Sequence, residues 1–340
     1  MIMVNGQHNS PQQAFIAVCK DAELRLKSSS GGMFTLLAEY VIDDGGIVCG
    51  AVFDHEFVLR HIFCDTKEGL GRMRGSKYVE SNLSDVFRQI KLYLDEGRFV
   101  LFSGVGCQIA GLRKFLGREY ENLLLVEILC HGGALPRVWK RFIDKRREGL
   151  LSVDFRNKSN GWNQYSMALH YAGHTEILTK EKNVYMNGYF ANLFLKRACY
   201  GCRFHNFSSG SDITLGDGWG ANTVSDKPYC KDNKGVSLVF VNTVRGADWV
   251  KKLEESNSAE IEPVEWRKLL KYNPAITSST TENKRSQEFL RRFDAGEDVD
   301  SLIMEFTRPS AVKRLEILLT PLLKALGIKG FTKKLQKLRG

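Results

Sequence analysis

The stretch RFVLFSGVGCQIAGLRKFLGREYENLLLVEILC, residues 98–130, decides the fold. Its first part, RFVLFSG (98–104), is an apolar run closed by glycine and predicts a buried strand. CQIAGLRKFLG (107–117) repeats apolar residues at helical spacing and stops on glycine. NLLLVEILC (122–130) predicts a second buried strand, and LPRVWKRFIDKRREG (135–149) a second amphipathic helix with Pro136 near its start. Strand–helix–strand–helix at this spacing predicts a parallel βαβ unit. Ligands of such sheets gather at the carboxyl ends of the strands.

Reading outward toward the N-terminus, ELRLKSSSGGMFTLLAEYVIDDGG predicts a loop and then a helix. Phe34, Leu37, Ala38 and Val41 share one helical face, and Gly45 and Gly46 end it. GIVCGAVFD reads as a short strand and VLRHIFCDT as its antiparallel neighbour. A charged, helix-like stretch follows, from KEGLGRM into RGSKYVES. Toward the C-terminus, residues 151–195 alternate aromatic and polar groups and predict short strands. VSLVFVNT (236–243) is a further strand, GADWVKKLEESN its following helix, and the chain turns polar and helical from about residue 280. The expected fold class is α/β (α+β). A mixed sheet with parallel βαβ units carries helices on its faces, a more β-rich middle region and a helical C-terminus. The expected division is an N-terminal α/β region (1–150), a β-rich region (151–280) and a helical basic tail (281–340).

The 340 residues carry a net charge of +10, but from Lys313 to Gly340 eight basic residues face one acid. That tail holds +7 and leaves +3 for the rest, so no basic surface for nucleic acid is expected. No apolar run has the length of a membrane span, and the start lacks the pattern of a secretory signal. The expected location is cytoplasmic, where eight cysteines are thiols, metal ligands or core residues rather than structural disulfides.

Cys199 and Cys202 in RACYGCRFHNF form the sole CxxC. The βαβ reading supplies a second pair, because Cys107 lies just past the first strand and Cys130 ends the second. On adjacent parallel strands both fall at one sheet edge, roughly 5–10 Å apart given the strand spacing of about 4.8 Å. Both are followed by turn residues, unlike Cys49, which sits mid-strand. Cys107, Cys130, Cys199 and Cys202 therefore form a candidate four-thiolate site, suited to zinc or to an iron–sulfur cluster. A chance pair or a redox dithiol are the competing readings of the CxxC.

SSSGGMFTLLAEYVIDDGGIVCGAVFD, RGSKYVES, VLFSGVGCQIAGLRKFL, LLLVEILCHGG, CYGCRF and SDITLGDGWG occur in the order of one known family. From about residue 14 to about residue 245 the chain resembles the coenzyme F-420 hydrogenase/dehydrogenase beta-subunit family. The resemblance implies a flavin-dependent iron–sulfur oxidoreductase that binds FAD beside a 4Fe-4S cluster. Such a protein passes electrons between a one-electron carrier and a two-electron acceptor, either a small-molecule substrate or a deazaflavin coenzyme. Relatives also occur alongside polysaccharide-building enzymes. Three departures stand out. The ferredoxin-like module of many relatives is missing, which implies a ferredoxin-like carrier or partner subunit. Val105 and Gly106 replace the family's Thr-Pro before the cysteine, and Gly218 replaces an aromatic residue.

A flavin dinucleotide needs donors for its diphosphate. On its own SSSGG reads as a capped helix entry and RGSKY as a solvated loop. With the resemblance, Ser30, Gly31, Gly32 and Thr35 become a phosphate-binding helix entry. Arg74, Ser76 and Lys77 become charged or hydrogen-bonding partners, with Tyr78 as a stacking ring. His131 and Asp217 are the candidate catalytic residues. The last stretch, 310–340, reads as a basic amphipathic helix kinked at Pro321, which can pack on the domain, dock on a partner or make peripheral membrane contact. The rival functions are a non-redox, zinc-stabilised scaffold and a sugar-modifying accessory protein.

Overall fold

The structure is a computed structural model and describes residues 11–309, so the expected tail helix lies outside the described residues. Among the described residues eleven strands form two sheets: β1 Gln13–Cys19, β2 Ile47–Phe53, β3 Leu59–Cys64, β4 Val100–Val105, β5 Leu123–Ile128, β6 Leu150–Asn157, β7 Ser166–Tyr171, β8 Thr175–Leu178, β9 Ile213–Asp217, β10 Ser237–Val241 and β11 Ala259–Pro263. The large sheet has the order β11-β1-β10-β9-β5-β4-β2-β3, and the small one β6-β7-β8. The centre of the large sheet, β2-β4-β5-β9, is parallel, while β3, β10 and β11 run against their neighbours. The large sheet therefore takes strands from both sides of residue 150. It is the mixed α/β sheet expected.

Side-chain alternation along the strands explains the layers. Leu101, Leu124 and Val126 point to one face, covered by the helices Met33–Asp43 and Val244–Glu255 through Leu37, Val41, Trp249 and Val250. Val100, Phe102, Leu123 and Leu125 point to the other, covered by Val86–Asp95 and Gly106–Leu116 through Ile90, Ile109 and Leu112. A parallel sheet buried on both faces reads as continuous apolar runs, which is why residues 98–130 were informative. The small sheet packs with Pro136–Asp144, Ser286–Asp294 and Val299–Thr307 around Trp139, Phe142, Phe155, Phe289 and Phe293.

Several local expectations change. The second buried strand ends at Ile128, two residues before Cys130. Within 151–195, residues Val184–Phe190 are a helix capped by Asn183, because Tyr185, Met186 and Tyr189 bury one helical face. The helix at KEGLGRM stops at Met73, and Gly75 follows with a positive φ. The sequence reading passed over β1, although AFIAVC is an apolar run just before the Asp21 helix cap.

Candidate cofactor site

Two chain segments join the halves of the cysteine set. Residues 133–135 run antiparallel to 194–196: Lys196 N–H donates to Gly133 O at 2.9 Å, and Leu135 N–H to Phe194 O at 2.9 Å. This clasp sets the loop after β5, with Cys130, beside the turn Arg197–Gly201, with Cys199. Gly106, which opens the helix Gly106–Leu116, lies so close to Phe204 that a Cβ would sit 2.9 Å from the Phe204 carbonyl and 2.8 Å from Glu127 Oε1. Glycine at 106 is thus a packing requirement, and it brings Cys107 against the segment that carries Cys202.

Cys107 is influenced by the charges of Cys199 and Cys202, and Cys130 by those of Cys107, Cys199 and Cys202. Loss of water raises the thiols of Cys107, Cys130 and Cys199, and their mutual repulsion adds to it. Cys107 and Cys130 still reach the surface. Backbone N–H groups approach sulfur from Gly133 to Cys199 (3.3 Å) and from Phe204 to Cys202 (3.4 Å). Lys196 opposes the rise at Cys107 and Cys199. Thiols at Cys107, Cys130 and Cys199 that resist ionising, with N–H donors on the sulfurs of Cys199 and Cys202, fit a cationic core that takes up thiolate charge. Among the described residues, no group of three or more His, Cys, Asp or Glu side chains is placed to hold a single metal ion as it stands.

The two loops expected at a flavin meet. Ser76 N–H donates to Ser29 Oγ at 2.6 Å, and Arg74 Nε donates to Thr35 Oγ1 at 3.2 Å. Arg74 therefore lies over the first turn of Met33–Asp43, whose N-cap Gly32 has φ +95° and no side-chain cap. A guanidinium beside an uncapped helix N-terminus suits a phosphate. Gly31 is engaged otherwise: its N–H donates to Ser237 Oγ at 3.0 Å, and a Cβ there would lie 2.3 Å from Ala17 O. Lys77 Nζ turns back onto the carbonyls of Met73, Arg74 and Gly75 at 3.0–3.1 Å, closing the preceding helix. Burial pulls this ammonium down to about 7, with Asp154 acting the other way.

Asp217 ends β9 and accepts from Ser30 Oγ and from Arg156 Nη1 (2.8 Å). Arg156 also donates to Tyr78 OH at 3.1 Å and lies over the Tyr165 ring, 4.0 Å from its centroid. Burial works against the Arg156 charge, yet Asp217 and the neighbouring phenols hold it firmly protonated. One buried arginine thus ties the loops of Ser30, Tyr78 and Asp217 together. Sequence reading missed it, though an arginine inside the half-apolar strand LLSVDFRN was a visible signal. Trp219 stacks on Trp162 at 4.1 Å, as a packing residue. Gly218 has no room for a side chain, since a Cβ would lie 2.9 Å from Val236 O. His131 follows Cys130, bonds through Nε2 to Asn192 Oδ1 (2.7 Å) and rests against Tyr189 and Phe190.

All these groups share one edge. β4, β5 and β9 are parallel and end before Cys107, before Cys130 and at Asp217. Ser237 pairs with both Asp217 and Ala17, which puts the Ser30–Gly31 loop at the same edge. Among the described residues no helix is long and apolar enough to cross a membrane.

Two family models match the chain. Both describe the beta subunit of coenzyme F420 hydrogenase/dehydrogenase: the model of its N-terminal part matches residues 14–88, and the model of its C-terminal part matches residues 97–266. No curated protein matches. A solved structure of the F420-reducing [NiFe] hydrogenase complex from Methanosarcina barkeri, studied by xenon derivatization, is similar in fold. Its TM-score is 0.55 at 17% identity, over 87% of this chain and 97% of that one.

Proposed function

The chain belongs to the coenzyme F420 hydrogenase/dehydrogenase beta-subunit family, a family of oxidoreductase electron-transfer subunits, and from that membership we propose a flavin-dependent iron–sulfur oxidoreductase. The observation that carries the reading is the shared sheet edge. Four thiols, brought together by the 133–135/194–196 clasp and the Gly106–Phe204 contact, and two interlocked loops with a phosphate-suited helix entry meet at the carboxyl ends of β4, β5 and β9. Cys107, Cys130, Cys199 and Cys202 would hold a 4Fe-4S cluster. Arg74 and the first turn at Gly32–Thr35 would hold the FAD diphosphate, with Ser30 and Ser76 bracing the loops. When bound, the cluster supplies one-electron transfer and the flavin exchanges one or two electrons, which links a one-electron carrier to a two-electron substrate or deazaflavin coenzyme.

The chain's own residues hold and orient these groups. N–H donors from Gly133 and Phe204 stabilise sulfur charge. Asp217 keeps Arg156 charged and fixes Ser30, so it acts here as a positioning residue. His131, next to Cys130 in the chain and held through Nε2 by Asn192, is the candidate proton donor. The test is anaerobic purification followed by iron and flavin quantification. Arg74→Ala should weaken FAD binding and leave iron in place, whereas Cys199→Ala should lose iron.

A further inference from the structure

The cysteine segments share a charge pattern that cofactor binding does not require. Residues 97–118, 128–143 and 183–211 contain no aspartate or glutamate, and each run carries at least three arginines or lysines. Most of these cations are spoken for: Arg98 pairs with Asp65, Arg113 with Glu119, Arg118 with Asp95, Arg137 with Asp294, Lys140 with Asp144 and Lys196 with Glu80. Arg197 and Arg203 differ. They flank Cys199 and Cys202, both are exposed, and among the described residues neither has an acidic partner. Glu80, tied to Lys196, and Glu282, near Tyr200, are the acids whose charges reach this turn. Phe190 is 49% exposed and its ring meets His131, which follows Cys130 in the chain. Ala198 and Gly201 are exposed as well and leave the approach to the sulfurs low.

We propose that the turn bearing Cys199 and Cys202 is a docking face for an acidic one-electron carrier protein, with Arg197 and Arg203 as its charged contacts and Phe190 as its apolar anchor. The proposal rests on the redox reading above and adds where the carrier meets the chain and what charge it bears. Unpaired arginines break no ion pair when a partner arrives, and arginine with an aromatic neighbour is the composition of strong contact points. Unpaired positive charge at the turn speeds encounter with an oppositely charged partner, and that attraction weakens with salt.

The test uses the anaerobically purified full chain with its cofactors and an acidic ferredoxin as probe, with binding measured by calorimetry at low and high salt. The wild-type chain should bind at low salt and lose affinity as salt rises. Arg197→Glu with Arg203→Glu should weaken low-salt binding at least about tenfold, with iron content and visible spectrum unchanged. Lys180→Glu with Lys182→Glu, on the turn after β8, should change it less than about twofold. Equal weakening by both pairs, unchanged binding by the arginine pair, or no ferredoxin binding by an intact holoprotein would overturn the proposal. So would charge-dependent binding of anionic phosphatidylglycerol vesicles in place of ferredoxin. A colourless protein without iron or flavin would instead refute the proposed function. Ferredoxin binding by that colourless protein would uphold the docking face if it were lost on reversing the arginines, and would refute it otherwise.

Discussion

Arg156 and Asp217 form an ion pair at 2.8 Å, with the arginine side chain almost wholly buried and the aspartate partly so. The pair joins the small sheet, where Arg156 sits on β6, to the large one, where Asp217 ends β9. Through Ser30 and Tyr78 it also fixes the two loops that would hold a flavin. A buried arginine is expensive unless it is paired, so removing one partner costs more than removing both.

Asp217→Asn is expected to destabilise the fold by about 3 kcal/mol, since it leaves a buried cation unmatched. Arg156→Met with Asp217→Asn should cost less than the single aspartate change. Urea denaturation of the wild type, Asp217→Asn and the double variant measures both values, and a double variant less stable than Asp217→Asn would contradict this account.

Gly31→Ala is expected to cost several kcal/mol or prevent folding, because its Cβ would fall 2.3 Å from Ala17 O and 2.8 Å from Ser237 N, both on paired strands. Gly71→Ala, with open space at its Cβ, should be close to neutral. Thermal melts of the two variants check the contrast.

Two buried groups pull the pH dependence in opposite directions. Burial holds His61 down to about 4, while the unfolded imidazole titrates near ~6.5. As pH falls through that window the unfolded state takes up the proton first, so stability is lost by up to about 3 kcal/mol. His61→Asn should flatten that slope. Glu127 is raised by burial despite hydroxyl donors from Ser209, Ser211 and Thr214. Its contribution is full below the unfolded carboxyl value of ~4.3 and is lost as pH rises through its folded value. Glu127→Gln should therefore stabilise the protein at pH 7, as read by denaturation at several pH values.

Arg74→Ala should weaken FAD binding about tenfold, or about 1.4 kcal/mol, without altering iron content. Fluorescence titration with FAD follows it. Equal affinity in the variant would remove Arg74 from the phosphate site.

The parallel centre was legible because strands buried on both faces become unbroken apolar runs, as VLFSG and LLLVE do. Glycine stops and helical spacing between them made the crossover unambiguous, and Cys107 and Cys130 followed from it. Cys199 and Cys202 were added to the set from the CxxC alone; the clasp that brings Cys199 to Cys130 was not legible, because it rests on backbone bonds between 133–135 and 194–196 that carry no side-chain signature. Arg156 was passed over for a related reason: its partners lie far away in sequence, on β9 and in the Ser76–Tyr78 loop. The helix Val184–Phe190 was read as strand because its tyrosines favour strands locally, and burial of one helical face overrides that preference.

The most direct test of the central claim is a visible absorption spectrum of the protein purified without oxygen, with iron, zinc and flavin quantified on the same sample. The account predicts flavin bands and about four irons per chain, with the iron lost in Cys107→Ala and in Cys199→Ala. A colourless protein that holds one zinc and cannot take up FAD or rebuild a cluster would contradict it.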